Sequence, residues 1–376
     1  MSFKIIKVGT SREKNKFIKS QWNFYKNDKN WVPPVLADRR KLLNTDKNPF
    51  FKHSEIQLFY AENEYSQIIG RIAAITNENH NKTHNDNAGF FGFFECINDQ
   101  NVANELFFVA ENWLKERGKD KVIGPENPSM NDEVGLLIDA FDSPPVILST
   151  YNPEYYANLI ENANYKKVKD LFAFKLTQSS YKTEKVQKLQ GIIRERYKLT
   201  IRELNLNDKN QFRKDIETFK DIYNKAWVPN WGFVKWTDEE FDFIAEDLKM
   251  IADPTLVIIA ESHSKPIGFG IAVPNINEYL IKNKKGSLIG ALVQSVLNKN
   301  KIESMRILAL GLIPEFHKSG IDGVIYYELG ERGVKAGFKW AEASWVLEDN
   351  LPMIKGLTSS MNAEKYKTYR LYEKEI

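Results

Sequence analysis

The stretch Arg306–Trp345 reads RILALGLIPEF, HKSGIDG, VIYYELGERGVKAG, FKWAEASW, and it decides the fold. A short apolar run leads into a tight loop of basic residues and glycine. An amphipathic segment and a second apolar run follow. Ile321, Val324, Ile325, Leu329 and Val334 fall on or near one helical stripe, so the segment is a helix that packs on a sheet. Gly337 stands where a helix C′ glycine belongs. A strand, loop and helix of this form aim backbone N–H groups and the positive end of a helix dipole at one point. That is a site for an anion such as a pyrophosphate.

The same order of elements occurs earlier in the chain. GFFGFFE (89–95) reads as a buried strand, Asn98-Asp99-Gln100-Asn101 as a loop and helix cap, and Val102, Leu106, Phe107, Ala110, Trp113 and Leu114 as the apolar face of a helix. Gly118 ends that helix and Val122-Ile123-Gly124 opens a strand. One offset, 337 − 118 = 219, lays Leu106 on Ile325, Ala110 on Leu329, Val122 on Ala341 and Asn131 on Asn350. Upstream, Trp31-Val32-Pro33 and Trp227-Val228-Pro229 each follow a helical pattern (11–25 and 212–225). Strand pairs are expected at 55–60 with 68–75, and at 256–260 with 266–272 around Ser262-His263-Ser264-Lys265. Each half closes on an alternating strand, 167–174 and 365–372, and a further strand opens the second half at Leu199–Leu204. The expected class is α/β with mixed sheets, in two domains, 1–176 and 199–376. A polar linker from Thr177 and a helical segment near 185–197 fill residues 177–198.

The 376 residues are 42% hydrophobic and 27% charged, as in an ordinary globular protein with material for two domains. No apolar run approaches the roughly 18 residues that span a bilayer, and MSFKIIKVGTSREKNK lacks the apolar core of a secretory signal. The lone cysteine, Cys96, excludes an internal disulfide framework and suits a reducing compartment, so a cytoplasmic location is expected. Against 53 basic residues stand 50 acidic ones without a basic-aromatic cluster, which argues against a nucleic-acid partner. His80 and His84 have zinc-like spacing but no following glutamate, and no metal is expected. Cys96 reads as the end of a buried strand.

The window His317-Lys318-Ser319-Gly320-Ile321-Asp322 resembles the cofactor motif of the GNAT (GCN5-related N-acetyltransferase) superfamily, roughly Q/R-x-x-G-x-G/A after the fourth strand. It keeps the central glycine and departs at both outer positions; the alternative is an ordinary capped turn at Ser319-Gly320, with Asp322 a favourable helix-start acid. With the repeat, the chain resembles an uncharacterised bacterial family of tandem GNAT-like proteins. The resemblance implies acyl-CoA, acetyl or longer, as co-substrate. It places the pantetheine arm on Leu310, Gly311, Leu312 and Ile313, and the pyrophosphate on N–H groups of Lys318 through Gly323, with His317 at the loop's start. The N-terminal window Asn98–Ala103 has no glycine, no cation and an acid, so that domain is expected to be a degenerate copy.

Chemistry is less sharply marked. The family's tyrosine pattern N-x-x-A-x-x-x-Y, begun at Asn350, reaches Leu357. Tyr366, Tyr369 and Tyr372 lie on a strand and read as packing residues. Glu342, Glu348, Asp349 and Asn350 are the candidate catalytic residues, the last three equally a helix start with its acids and cap. Trp227, Asn230, Trp231 and Trp236 form an aromatic loop suited to substrate contact or to packing. Residues 275–303 form a helix or helical pair whose apolar face (Leu280, Ile281, Leu288, Ile289, Leu292, Val293, Val296, Leu297) covers an acyl chain, makes a dimer contact, lies on a membrane, or packs in the core, the commonest fate. The expected reaction is N-acylation of an amine on a small metabolite, amino acid or amino-lipid, by a monomer or homodimer. A silent GNAT-like binding module and a tRNA-dependent aminoacyl transferase are the alternatives.

Overall fold

The computed structural model describes residues 2–182, 184–205, 208–228 and 230–376. Its strands are β1 (Phe3–Lys7), β2 (Ile56–Asn63), β3 (Ile68–Thr76), β4 (Ala88–Cys96), β5 (Lys121–Gly124), β6 (Lys166–Thr177), β7 (Leu199–Glu203), β8 (Val257–Ser262), β9 (Lys265–Pro274), β10 (Ser304–Leu312), β11 (Trp340–Leu347) and β12 (Glu364–Glu375). The main helices are α1 (Ser11–Lys19), α2 (Gln100–Lys115), α3 (Glu184–Tyr197), α4 (Lys209–Ala226), α5 (Asp238–Ile251), α6 (Leu288–Asn298) and α7 (Ile321–Lys335). Shorter pieces are named by their residues. Pro229, the last residue of the second Trp-Val-Pro echo, and Thr183 of the linker lie outside the described residues.

Two compact units form, each an α/β layer structure. The first comprises Met1–Asp170, Tyr279–Leu297 and Thr368–Ile376; the second comprises Leu171–Glu278 and Asn298–Lys367. Three segments thus fall outside the halves read from the sequence, the first being residues 171–176, which belong to the second unit. Residues 279–297 and 368–376 come late in the chain yet belong to the first unit.

The units share one topology. In the first, β1, β2, β3 and β4 run antiparallel in order, and β4 then pairs parallel with β5. The end of β12 lies antiparallel on β5, with Tyr372 opposite Gly124. In the second, β7, β8, β9 and β10 are antiparallel in order, and β10 pairs parallel with β11. Residues 171–177 of β6 close that sheet against β11. The strand beside β5 is therefore the last of the chain, and the strand beside β11 ends the N-terminal half.

Helix packing repeats as well. Val102, Leu106, Phe107 and Ala110 of α2 are buried, and so are Ile321, Ile325, Tyr326 and Leu329 of α7, at the offset of 219. Gly118 and Gly337 both adopt positive φ, 73° and 99°, as a helix-ending glycine must. Glycines on the sheet admit both helices closely: a Cβ on Gly70 would come within 2.7 Å of Leu106, and one on Gly270 within 2.7 Å of Ile325. Each fully buried leucine or isoleucine at these contacts stabilises its unit by about 2 kcal/mol.

The apolar face of α6 does not pack in the core. Leu288, Ile289, Leu292, Val293, Val296 and Leu297 are all exposed.

Candidate acyl-transfer site

In both units a pair of parallel strands opens into a fork. Pairing of β10 with β11 runs from Ser304 opposite Trp340 to Ile307 opposite Ala343, and then stops while both strands continue. A bulge marks the point: Ala309 pairs with Ile271 and Ile307 with Ala272, leaving Leu308 outside the ladder. In the first unit, pairing of β4 with β5 stops after Phe90 opposite Ile123. There the register on β3 slips between Arg71 and Ala73, and Phe93 takes a φ of 50°.

The first unit fills its own fork. A Cβ on Gly92 would lie 1.7 Å from the Glu126 carbonyl oxygen, so only glycine admits that backbone. Asn127 Oδ1 accepts the Phe93 N–H at 2.6 Å. Beside it, Arg71 and Glu95 form a buried ion pair, with Tyr25 and Tyr156 hydroxyls also donating to Glu95. Burial holds the Glu95 carboxyl above its ordinary range against the pull of Arg71.

The strand-to-helix connections differ in the same sense. Three residues, 97–99, join β4 to α2, and Asp99 Oδ1 accepts the Asn101 N–H at 2.9 Å, capping the helix internally. Eight residues, 313–320, join β10 to α7. Here Gly320 is the N-cap, at φ 84°, and makes no side-chain cap bond. Lys318 is also left-handed, at φ 62°, just ahead of the positive helix end. Ser319 Oγ accepts the Ile321 N–H at 3.2 Å, and His317 Nε2 lies 2.9 Å from the Leu312 carbonyl oxygen. A Cβ on Gly320 would meet Ile193 of α3 at 2.8 Å. Asp322 sits in the first turn and, after burial, contributes to raising the Tyr326 phenol. Gly323, in the same turn, has open space where a Cβ would stand.

Strand alternation sorts the side chains at the fork. Leu310 and Leu312 join the core under α7, together with Met305, Ile307, Ala341 and Ala343; Ile313 also lies against it. Arg306, Glu342 and Ser344 therefore take the opposite face. Glu342 is fully buried, and Ser344 Oγ and the Tyr366 hydroxyl both donate to its carboxylate. Arg306 Nε donates to Ser344 Oγ at 3.1 Å, and its guanidinium lies 4.6 Å from the Trp345 ring centre. Gly311 faces the same side, where a Cβ would meet Trp227 at 2.5 Å. Trp227 stacks on Tyr223 at 4.5 Å and on Phe269 at 5.8 Å. Trp236 packs against Tyr223 and Phe241. Asn230 closes a turn onto the Trp227 carbonyl at 2.8 Å, and Trp231 is half-buried.

The structure thus gathers Glu342 and Trp227 on one face of the fork. Glu348, Asp349 and Asn350 lie past the end of β11, where Asn350 Oδ1 accepts the Met353 N–H at 3.3 Å as a helix cap. Leu357 is fully buried in the core. Tyr369 and Tyr372 are fully buried packing residues, as expected, but Tyr366 is not: its hydroxyl serves Glu342. Sequence reasoning missed Ser344 and Arg306. The alternation Ala341-Glu342-Ala343-Ser344 does carry a signal, since it sets two polar groups on one strand face. Elsewhere, the His80 ring lies tilted against that of His84 at 4.4 Å and faces Asp86 at 3.6 Å; burial lowers its pKa to about 4. Cys96 is buried as the last residue of β4. No group of three or more metal-ligating side chains stands together among the described residues. No helix of those residues is long and apolar enough to cross a membrane.

No protein-family model matches the sequence. A Caulobacter vibrioides protein named bacterial ceramide synthase is 33% identical over 99% of this chain and 97% of its own length. Escherichia coli protein YghO is 34% identical over 96% of this chain and 92% of its own. Among solved structures, a tandem GNAT protein from the clavulanic acid biosynthesis pathway superposes with a TM-score of 0.57 at 7% identity, over 100% of this chain and 98% of its own. The fold is thus that of tandem GNAT proteins, and the chain belongs to the same family as the Caulobacter and Escherichia proteins.

Proposed function

We propose that the protein is an acyl-CoA-dependent N-acyltransferase, that its active site is the fork of the second unit, and that its acceptor is the amine of a long-chain amino-lipid. The observation that carries the reading is the fork between β10 and β11, with left-handed Lys318 and the Gly320 N-cap of α7 on one side and buried Glu342 on the other. The acceptor class is supported by the Caulobacter relative: a ceramide is the N-acyl amide of a long-chain amino alcohol, and that protein aligns with nearly the whole chain. An acetyl acceptor among small metabolites is the narrower chemistry that the fold alone suggests.

The residues fit an acyl-CoA. A left-handed Lys318 and Gly320 ahead of α7 suit a pyrophosphate, with Lys318 as the cation. Leu310 to Ile313 offer a strand end for the pantetheine amides. When bound, the group supplies a thioester carbonyl open to attack by an amine, its C–S bond breaking to release the CoA thiol as the amide C–N bond forms. The chain's part is to place the amine and take its proton. Glu342 is sealed from solvent, and its carboxylate is reached through the hydroxyls that donate to it. As the amine gives up a proton to the half-buried Tyr366 hydroxyl, that hydroxyl passes its own to Glu342. Arg306, held on Ser344, offsets the buried carboxylate's charge. The stacked Trp227 forms an apolar wall beside Gly311.

A second reading, a binding module without turnover, is favoured by Leu357, which fills the place where the resemblance implies a tyrosine. Incubation with long-chain acyl-CoA and a sphingoid-type amine, followed by mass spectrometry, separates the two. Amide product supports the enzyme, whereas cofactor binding without product across an amine panel supports the module.

A further inference from the structure

We propose that α6 docks the protein on a lipid bilayer with anionic headgroups, inserting its outward apolar face among the lipid chains. The helix is amphipathic in the reverse sense to a core helix. Leu288, Ile289, Leu292, Val293, Val296 and Leu297, 48–78% exposed, sweep one side of it. Gly290, Ala291, Gln294, Ser295 and Asn298 are the half-buried ones, on the opposite side. Six large aliphatic side chains in water on eleven residues are a sustained cost that burial relieves.

The helix is rigidly mounted. Trp22 Nε1 donates to the Lys284 carbonyl at 2.7 Å, and the Leu36 N–H to the Gly286 carbonyl at 2.8 Å. Gly286 adopts φ 58°, and a Cβ there would lie 2.4 Å from the Pro34 carbonyl oxygen. Buried Asn283 holds the Ser287 carbonyl at 2.9 Å, and a Cβ on Gly290 would meet Asn283 Oδ1 at 2.3 Å. The face cannot roll inward without breaking this turn.

Charge selects the occupant. Lys282, Lys284 and Lys285 precede the helix and Lys299 and Lys301 follow it, with no acid between residues 282 and 301. All five are exposed. Such flanks match an anionic headgroup layer, to which each lysine adds about 1 kcal/mol. Two copies meeting through this face would bring like charges together, which disfavours a homodimer there. At eleven residues the helix is too short to span a bilayer and long enough to lie in its interface.

The test is sedimentation of the full chain with vesicles of phosphatidylcholine alone or mixed with phosphatidylglycerol. Strong binding to the mixed vesicles that weakens as salt rises is expected. Leu292→Ser with Val296→Ser should lower it by about tenfold or more, with an unchanged melting temperature because both side chains face outward. Lys284→Glu with Lys285→Glu should lower binding to anionic vesicles by about fivefold per lysine. No sedimentation with mixed vesicles, or sedimentation indifferent to the apolar pair, overturns the proposal. So does a dimer in light scattering that the apolar pair converts to monomer while vesicles remain unbound. None of these readings uses catalysis, so the proposal stands or fails separately from the acyl-transfer reading.

Discussion

The connection from β4 to α2 and the connection from β10 to α7 begin from one plan and end as different surfaces. In the first unit three residues suffice, and Asp99 occupies the helix end with its own carboxylate. In the second, eight residues arch over to Gly320, which has no side chain to offer the helix, and the Ser319 hydroxyl before it accepts the Ile321 N–H. The forks follow suit: backbone at Glu126 and the Asn127 amide fill one, while Glu342, Ser344 and Arg306 line a face of the other. A repeated fold need not repeat a site. One copy starts its helix on an aspartate cap and fills its fork with backbone, while the other starts its helix on a glycine after a longer loop.

The largest expected effect probes the fork of the second unit. Glu342→Gln should cut N-acylation by about 10²- to 10⁴-fold while leaving acyl-CoA binding in place, measured by single-turnover product formation beside calorimetric titration. Equal activity would move the proton-accepting role away from Glu342.

Acid should distinguish the units next. Burial holds neutral His80 in the first unit, with its pKa lowered from 6.5 to about 4, while His84, Asp86 and Lys121 face it. A depressed folded pKa means the unfolded chain takes a proton that the folded one refuses. Stability is then full above pH 6.5 and falls as pH drops toward 4, by roughly 3 kcal/mol at most. Urea titrations across that range should show the loss, and His80→Gln should flatten it.

Gly320→Val strains a left-handed residue against Ile193, and should weaken acyl-CoA binding by about tenfold. Asp99→Ala, the matching change in the first unit, should cost only about 1 kcal/mol of stability through the lost cap and leave activity unchanged. Thermal melts and steady-state rates on the pair check both halves of the comparison.

Much of this was legible in the sequence because it is local. The helical stripes of α2 and α7, the hairpin around His263 and Ser264, and the glycines at 118 and 337 follow from periodicity and backbone conformation. The loop contrast was legible too, since a glycine and a lysine against an aspartate is a statement about residue types. What stayed hidden depends on distant pairing. Tyr366 looked like packing because nothing in its own strand shows that Glu342, on another strand, accepts its hydroxyl. The placement of 279–297 in the first unit rests on Trp22 and Leu36, more than 240 residues away in the chain. Periodicity reveals that α6 has an apolar face, yet it carries no sign for whether the face turns in or out.

The central claim is one cofactor site per chain, in the second unit. Isothermal titration of the full chain with a long-chain acyl-CoA tests it most directly. The account predicts one equivalent bound, lost in Lys318→Glu with Gly320→Val and retained in Asp99→Ala. Two equivalents, or binding that survives the second-unit changes, would contradict it.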